Sequence, residues 1–325
     1  MNTIAVLMGG YSSEYQISLK SGNVVYNAIK EHCNAYRVHL LKEKWVCVDD
    51  DDNEFIIDKG DFSATLNGTK ITFDCVFNTV HGTPGEDGHI QGYLALLGIP
   101  QTSCDMYQAA LTFNKRDLLS VLRPYNIPMA TSVFYDQGDD IDSKAIASKV
   151  GLPCFVKANR AGSSFGVTKV YNAEDIPNAI HNALKEDSQV LIESFLDGTE
   201  VSVGVITYKG EVTVLPITEI VSETDFFDYK AKYEGLSQEI TPARISDAQT
   251  KEVSAITKQI YELLGMTGFS RAEFIFHNNT PHFIEINTTP GLSEESILPQ
   301  QANAAGISLT ELFMSAIEEA LNKKA

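Results

Sequence analysis

The sequence predicts an α/β (α+β) protein whose first third forms a doubly wound parallel sheet, and three observations carry that reading. Apolar, strand-like runs alternate with amphipathic helical stretches from the first residues onward. The loops after two of those strands, residues 9–14 and 81–88, are rich in glycine and hydroxyl side chains. In parallel sheets, ligands bind at loops on the carboxyl ends of strands. Past residue 150, short strand-like segments predominate, so further sheets follow the first.

In chain order, Thr3 to Met8 reads as a strand, Gly9-Gly10 as a turn and Ile17 to Ile29 as a helix. Strands follow near Tyr36–Leu41 and Asp74–Val80, then a helix from His89 to Leu97 that stops at Gly98. A helical stretch from Ser103 to Leu122 ends before Pro124, and another from Ser143 to Val150 ends at Gly151. Cys154–Ala158, Val167–Tyr171 and Val190–Glu193 are strand-like, with helical periodicity between the last two, over Ala173 to Glu186. Thr199–Tyr208 and Glu211–Ile220 read as one long antiparallel stretch. Ser246 with Gln249, and Ser308 with Glu311, have the spacing of capping boxes. Arg271–Phe276 and His282–Asn287 predict a hairpin around Asn278-Asn279. Domain boundaries are expected near residues 103 and 193, giving units 1–103, 104–193 and 194–325.

The 325 residues carry a formal net charge of −18, which disfavours nucleic acid and anionic membrane as partners. The cations of any anion site should therefore be few and individually placed. Five cysteines, none in a Cys-x-x-Cys pair, predict reduced thiols and a cytoplasmic location, with Cys154 in the core. The N-terminus has neither the basic nor the long apolar region of a signal peptide. No apolar run reaches the ~18–20 residues of a membrane span.

Three segments carry chemistry. In Val156-Lys157-Ala158-Asn159-Arg160-Ala161-Gly162-Ser163-Ser164-Phe165-Gly166-Val167, a strand ends in lysine and a loop of small residues leads to another strand. Backbone N–H groups of such a loop converge on phosphate oxygens while Lys157 adds charge. The plain alternative is a hairpin with an exposed lysine. The same loop contains Gly162-x-Ser164-x-Gly166, but a hydrolase elbow needs a helix after the serine, and a strand is predicted there. In the second segment, Arg271-Ala272-Glu273 faces Glu285-Ile286-Asn287, so that Glu285, Asn287 and Glu273 share one face. Two carboxylates and an amide oxygen are hard ligands suited to Mg²⁺; the alternative is a solvated hairpin. The glycine- and hydroxyl-rich run Thr288-Thr289-Pro290-Gly291-Leu292-Ser293 follows directly. The third segment, His81-Gly82-Thr83-Pro84-Gly85-Glu86-Asp87-Gly88, neighbours the loop holding Glu14; a lone histidine there reads first as a structural hydrogen-bonder, and the alternative is that it orients Glu14. Neither Gly-x₄-Gly-Lys-Ser/Thr nor Gly-x-Gly-x-x-Gly occurs, so a nucleotide site would be neither a P-loop nor a standard dinucleotide fold.

Eight ordered blocks then resemble one family. GGYSSEYQISLKSG (9–22), HGTPGEDGHIQGYLALLGIP (81–100), NKRDLL (114–119), PCFVKANRAGSSFGV (153–167), VLIESFLDGTEVSVGV (190–205), FFDYKAKY (226–233), GFSRAEFIF (268–276) and FIEINTTPGLSEES (283–296) are similar to the D-alanine–D-alanine ligases of the ATP-grasp superfamily. The resemblance implies an ATP-grasp fold of three domains: an N-terminal substrate domain, then a central and a C-terminal subdomain with ATP between them. It implies ligation of two D-alanines through D-alanyl phosphate for peptidoglycan synthesis. Ligases making D-Ala-D-Ser or D-Ala-D-lactate are the alternative. Lys115 and Lys157 resemble the family's phosphate lysines, with Ser164 in the same loop. Glu193 and Glu200 resemble the adenine and ribose partners, and Ser194 and Leu196 line the adenine slot. Glu273, Glu285 and Asn287 match ligands for two Mg²⁺ ions, with Mn²⁺ an expected substitute. Arg271 and Gly291 match the oxyanion stabilisers, and Glu14 the partner of the first substrate's ammonium, with His81 beside it. Lys232 and Ser296 match contacts to the second substrate and the transferred phosphate. Glu14, Ser163 and Tyr233 match a triad that closes a loop, about residues 222–240, over the site. Tyr233 favours D-alanine over D-lactate, and a homodimer is implied. Departures from the family pattern are Glu273 where Asp is usual, Ala158 where Pro is common, and Asn114 where Asp is common.

Overall fold

A computed structural model describes residues 1–162, 164–222 and 237–323. The first sheet has strand order β6-β5-β4-β3-β2-β1-β7. Its parallel part is β1 (Thr3–Gly9) flanked by β2 (Asn34–Leu40) and β7 (Cys75–Asn78). Four strands, β3 (Trp45–Val48), β4 (Glu54–Asp58), β5 (Ser63–Leu66) and β6 (Thr69–Ile71), extend it antiparallel beyond β2. The parallel sheet read from the sequence is thus one end of a mixed one. Alternation along β1 explains the helices on both faces. Ile4, Val6 and Met8 pack with α1 (Tyr15–Ile29), whereas Ala5 and Leu7 pack with α2 (His89–Leu96).

The expected single helix from Ser103 to Leu122 is two, α3 (Met106–Phe113) and α4 (Lys115–Leu122). Asn114 separates them in an extended conformation (φ −92°, ψ 94°) and caps α4 by accepting the Asp117 N–H. The break puts Lys115 at the first helical position, facing the cleft described below. A second sheet, β10-β9-β11-β8, is antiparallel throughout: β8 (Ser132–Asp136), β9 (Cys154–Ala158), β10 (Thr168–Val170) and β11 (Gln189–Ser194). Val156, Ala158, Val190 and Ile192 bury one face against α5 (Ser143–Val150) and α6 (Ile176–Ala183). The opposite face carries Phe155, Lys157 and Glu193. The helical pattern over 173–186 is shorter than expected, opening with a single 3₁₀ turn before α6.

The third sheet orders β15-β14-β12-β16-β17, with β13 also on β12. It comprises β12 (Gly198–Tyr208), β13 (Glu211–Val214), β14 (Thr218–Ser222), β15 (Ser237–Ile240), β16 (Phe269–His277) and β17 (Thr280–Asn287). The stretch Glu211–Ile220 is two strands because Pro216 has no N–H to donate to a ladder. Asn278 and Asn279 both have positive φ, as a two-residue hairpin turn requires. Helix α7 (Asp247–Leu263) opens with the full Ser246–Gln249 capping box. Ser308 caps the last helix only one way, because Glu311 bonds Tyr208 and Lys209 instead. That helix, α9 (Leu309–Asn322), follows α8 (Ile297–Ala304) and packs against α1, so the C-terminal segment shares a core with the first sheet. All five cysteines are free and buried.

Phe274 and Phe283, each at most 1% exposed, meet edge-to-face at 5.6 Å beneath the β16–β17 hairpin. Phe274→Ala is expected to lower unfolding free energy by about 3–5 kcal/mol, read as a lower urea midpoint at unchanged slope.

Candidate active site

Two adjoining cavities lie where the three sheets meet. The larger, about 380 Å³, is walled by Glu14, His81 and Glu86 on one side and by Arg271, Glu285, Asn287, Gly291 and Ser296 on the other. The smaller, about 140 Å³, lies between the second and third sheets, with Phe155, Leu196, Ile275 and Ile284 forming an apolar slot rimmed by Lys157, Ser164, Glu193, Ser194 and Glu200. Lys115, Ala161, Gly162 and Glu285 line both, so the two are one cleft. A flat apolar slot joined to a strongly charged chamber suits a molecule with an aromatic ring at one end and anionic groups at the other.

The floor is the β16–β17 ladder. Arg271 pairs in register with Asn287, and Glu273 with Glu285. The register then shifts between Glu273 and Phe274, so Ile284 is an extra residue. The bulge turns the consecutive residues Ile284 and Glu285 toward the cleft while Phe283 and Ile286 stay in the core. An unbulged strand would have alternated them.

Three cations are each held by carboxylates. Lys157 is paired with Glu193 on the neighbouring strand. Burial alone would lower the Lys157 pKa, but Glu193, then Glu285 and Glu273, outweigh it and raise it. Lys115 Nζ lies 3.1 Å from Glu285 and donates to the Ala161 carbonyl at 2.8 Å. Arg271 Nη1 donates to Glu273 Oε1 at 2.5 Å and to Ser202 Oγ at 2.9 Å. The phosphate-like loop is tied down at its start. Asn159, fully buried, accepts from the Arg116 N–H and donates to Asn114 Oδ1 and Gln189 Oε1. Asp187 accepts the Arg160 backbone N–H and two guanidinium N–H groups. Ser164 has a φ of 60°, a turn conformation that brings backbone close to the cleft.

On the other wall, Glu14 immediately precedes α1 and approaches the loop so closely that a Cβ on Gly162 would sit 2.9 Å from its carboxylate. His81 is buried, lies 3.3 Å from Ser21 Oγ and bonds the backbone at Thr289. Ser21 Oγ also accepts the Leu292 N–H, stitching the first sheet to the glycine-rich loop. Burial pushes the His81 pKa down against the pull of Glu14, so the ring is neutral. Ser296 forms the N-cap of α8 and meets Ser293 Oγ at 2.8 Å, and Gly291 packs against it. Glu273, Glu285 and Asn287 supply oxygen donors of the kind Mg²⁺ takes, on one face of one hairpin. Of the predicted residues, Ser163, Lys232 and Tyr233 lie outside those described; every other one lines this cleft.

Sequence reading passed over Lys20, Glu86 and Glu239, which also line the larger cavity. Glu86 lies within the glycine-rich loop of residues 81–88, which is its signal in the sequence. It is 7% exposed and accepts the Gly82 N–H at 2.6 Å. Burial, then the charge of Glu14, pushes its pKa up to about 8. The folded state thus holds a proton that the unfolded chain releases in the ordinary carboxylate range. That stability is present at low pH and is lost as pH rises toward 8. Glu86→Gln should therefore show a smaller fall in melting temperature between pH 5.5 and 8.5 than the unsubstituted protein, measured by thermal melts at constant ionic strength.

Comparison with known proteins agrees with this geometry. Residues 3–104 match the family described as D-ala D-ala ligase N-terminus, and residues 122–318 that described as D-ala D-ala ligase C-terminus. The D-alanine–D-alanine ligase of Flavobacterium johnsoniae is 64% identical over 322 residues, spanning 99% of this chain and 100% of its own. Among solved structures, the D-Ala:D-Ser ligase VanG from Enterococcus faecalis superposes with a TM-score of 0.86 at 29% identity, covering 98% of both chains. The ATP complex of the Bacillus anthracis D-alanine–D-alanine ligase superposes at 0.79 and 25% identity, covering 99% of this chain and 98% of that one. With residues 3–104 and 122–318 both matched, and relatives aligned along nearly the whole chain, the chain belongs to the D-alanine–D-alanine ligase family.

Proposed function

We propose that the chain joins two D-alanines to D-alanyl-D-alanine at the expense of ATP, through D-alanyl phosphate, to supply peptidoglycan synthesis. The observation that carries this reading is the single cleft in which an apolar slot opens onto Lys115, Lys157 and Arg271, beside the acid-lined chamber of Glu14. Adenine occupies the slot of Phe155, Leu196, Ile275 and Ile284, with Glu193, Ser194 and Glu200 taking its polar edge and the ribose. Lys115, Lys157 and the backbone around Ser164 take the phosphates. Glu273, Glu285 and Asn287 would hold two Mg²⁺ ions, or Mn²⁺ in their place, and the ions would supply charge neutralisation for phosphoryl transfer.

A carboxylate is a poor electrophile, so it must first be activated. Glu14 receives the first substrate's ammonium, with neutral His81 fixing the wall behind it. The substrate carboxylate then attacks the γ-phosphorus of ATP, breaking its bond to the bridging oxygen so that ADP leaves and D-alanyl phosphate forms, and Lys157 and Arg271 offset the charge gathering there. The second D-alanine attacks as a neutral amine, with Ser296 at its carboxylate. Arg271 and the Gly291 N–H stabilise the resulting oxyanion; its collapse breaks the acyl C–O bond, and phosphate departs with the proton the amine gives up. Ser163, Lys232 and Tyr233 keep the latch and phosphate roles that the family resemblance gives them, excluding water from the acyl phosphate. The proposal extends to a cytoplasmic homodimer. No described helix is long and apolar enough to cross a membrane.

Phosphate release from ATP and Mg²⁺ is measured with D-alanine, L-alanine, D-serine, or D-alanine plus D-lactate, with mass spectrometry of products. D-alanine alone should drive release and yield the dipeptide. Failure of every D-amino acid to do so would sink the proposal. Lys157→Ala should lower kcat/KM at least ~100-fold, the usual scale for one lost transition-state donor. Unchanged turnover would remove Lys157 from the phosphate site.

A further inference from the structure

We propose that Ser202 is a positioning residue for Arg271, and that Gln301 ties this anchor to the helix beginning after Ser296. The inference rests on the proposed role of Arg271 in the ligation.

Arg271 is held by two acceptors of different kinds. Glu273 is charged and faces the cleft, where an incoming cation or phosphate changes its surroundings. Ser202 is neutral, 0% exposed and outside both cavity walls, so ligand traffic leaves it unchanged. Its Oγ accepts Arg271 Nη1 at 2.9 Å across the β12–β16 ladder, where Ser202 stands directly opposite Glu273. One guanidinium nitrogen thus bridges a fixed acceptor and an exchangeable one. When Glu273 turns to a ligand, the Ser202 contact keeps the fork aimed.

The Ser202 backbone is itself held. Gln301, also 0% exposed, donates Nε2 to the Ser202 carbonyl at 2.8 Å and to Thr218 Oγ1 at 3.0 Å. Gln301 lies on α8, one turn beyond the Ser296 N-cap. It fits only because residue 204, the register partner of Arg271, is glycine: a Cβ there would lie 2.4 Å from Gln301 Oε1. The chain Arg271–Ser202–Gln301 therefore sets the distance between the oxyanion-facing guanidinium and the segment carrying Gly291 and Ser296. Both sides of the proposed tetrahedral centre are referred to one buried contact.

The test uses the full-length enzyme with D-alanine and ATP, comparing it with Ser202→Ala, Ser202→Thr and Gln301→Leu. Each is assayed for kcat, KM for ATP, melting temperature and inhibition by a phosphinate dipeptide that mimics the tetrahedral centre. Ser202→Ala should lower kcat and weaken phosphinate inhibition in parallel, each about tenfold, with KM for ATP within about twofold. Ser202→Thr, which keeps the hydroxyl, should recover most of kcat, and Gln301→Leu should fall between. Unchanged kcat in Ser202→Ala overturns the proposal. So does a loss of kcat, ATP affinity and melting temperature together, which marks a merely structural serine. An unsubstituted enzyme that makes no dipeptide counts instead against the ligase reading.

Discussion

Every other feature of the cleft follows from the need to keep buried charge paired. Lys157, Arg271 and Lys115 are all largely withdrawn from water, and each meets a glutamate: Glu193, Glu273 and Glu285 respectively. Removing one partner of such a pair costs far more than the pair itself contributes, because an isolated buried ion has neither water nor a counter-ion. The scaffold must therefore bring four strands and one helix N-terminus to fixed separations before any ligand arrives. An anionic ligand can then take over a cation only by offering charge in return. The same condition makes the site selective: a neutral molecule of similar shape has nothing to exchange for the glutamates.

That condition explains local features with no separate stability rationale. The bulge at Ile284 sets two consecutive side chains on one side of β17, giving the cleft both an apolar wall and the Lys115 counter-charge from adjacent positions. The interruption at Asn114 costs a continuous helix, yet it places Lys115 at a helix start against the Ala161 carbonyl. Asn159 holds the interruption open by bonding on both sides of it, to Asn114 and to the Arg116 N–H. Asparagine at 114 can do this as a neutral group, so aspartate is not needed there for the cap.

Sequence reading recovered what is local or strictly periodic. The β16–β17 hairpin declared itself through its turn residues, and its ladder places Glu273, Glu285 and Asn287 on the predicted face. Lys157 was legible because apolar Val156 and Ala158 flank it at strand spacing, leaving it on the opposite face. What stayed hidden depends on distant chain. Leu111, Leu118, Leu119 and Leu122 keep a helical rhythm across Asn114, so only the Asn159 contact, over forty residues away in sequence, reveals the break. Glu86 lies in a polar, glycine-rich loop, and its burial comes from the packing of that loop against the cleft. Strands β3 to β6 are short, and β6 is largely exposed, so no alternation marked them.

The charge inventory of the cleft carries the argument further than composition could. A chain of net charge −18 is expected to hold anionic ligands with a few placed cations, and among the described residues the cations lining the cleft are Lys20, Lys115, Lys157 and Arg271. Glutamates outnumber them on the same walls: Glu14, Glu86, Glu193, Glu200, Glu239, Glu273, Glu285 and Glu295. Burial keeps Glu86 protonated near neutrality, which removes one negative charge beside Glu14. The remainder still leaves the cleft acidic, and a nucleotide triphosphate adds several more negative charges. Lys115 and Lys157, already committed to glutamates, cannot balance that excess at short range, where unscreened repulsion is strongest. Under the proposed function, Glu273, Glu285 and Asn287 would hold divalent ions, whose charge would reverse the sign locally and turn an acidic floor from an obstacle into the binding surface. On this view the carboxylates and the phosphates are complementary halves of one cation site, and the acidity of the chain is compatible with an anionic substrate because of them.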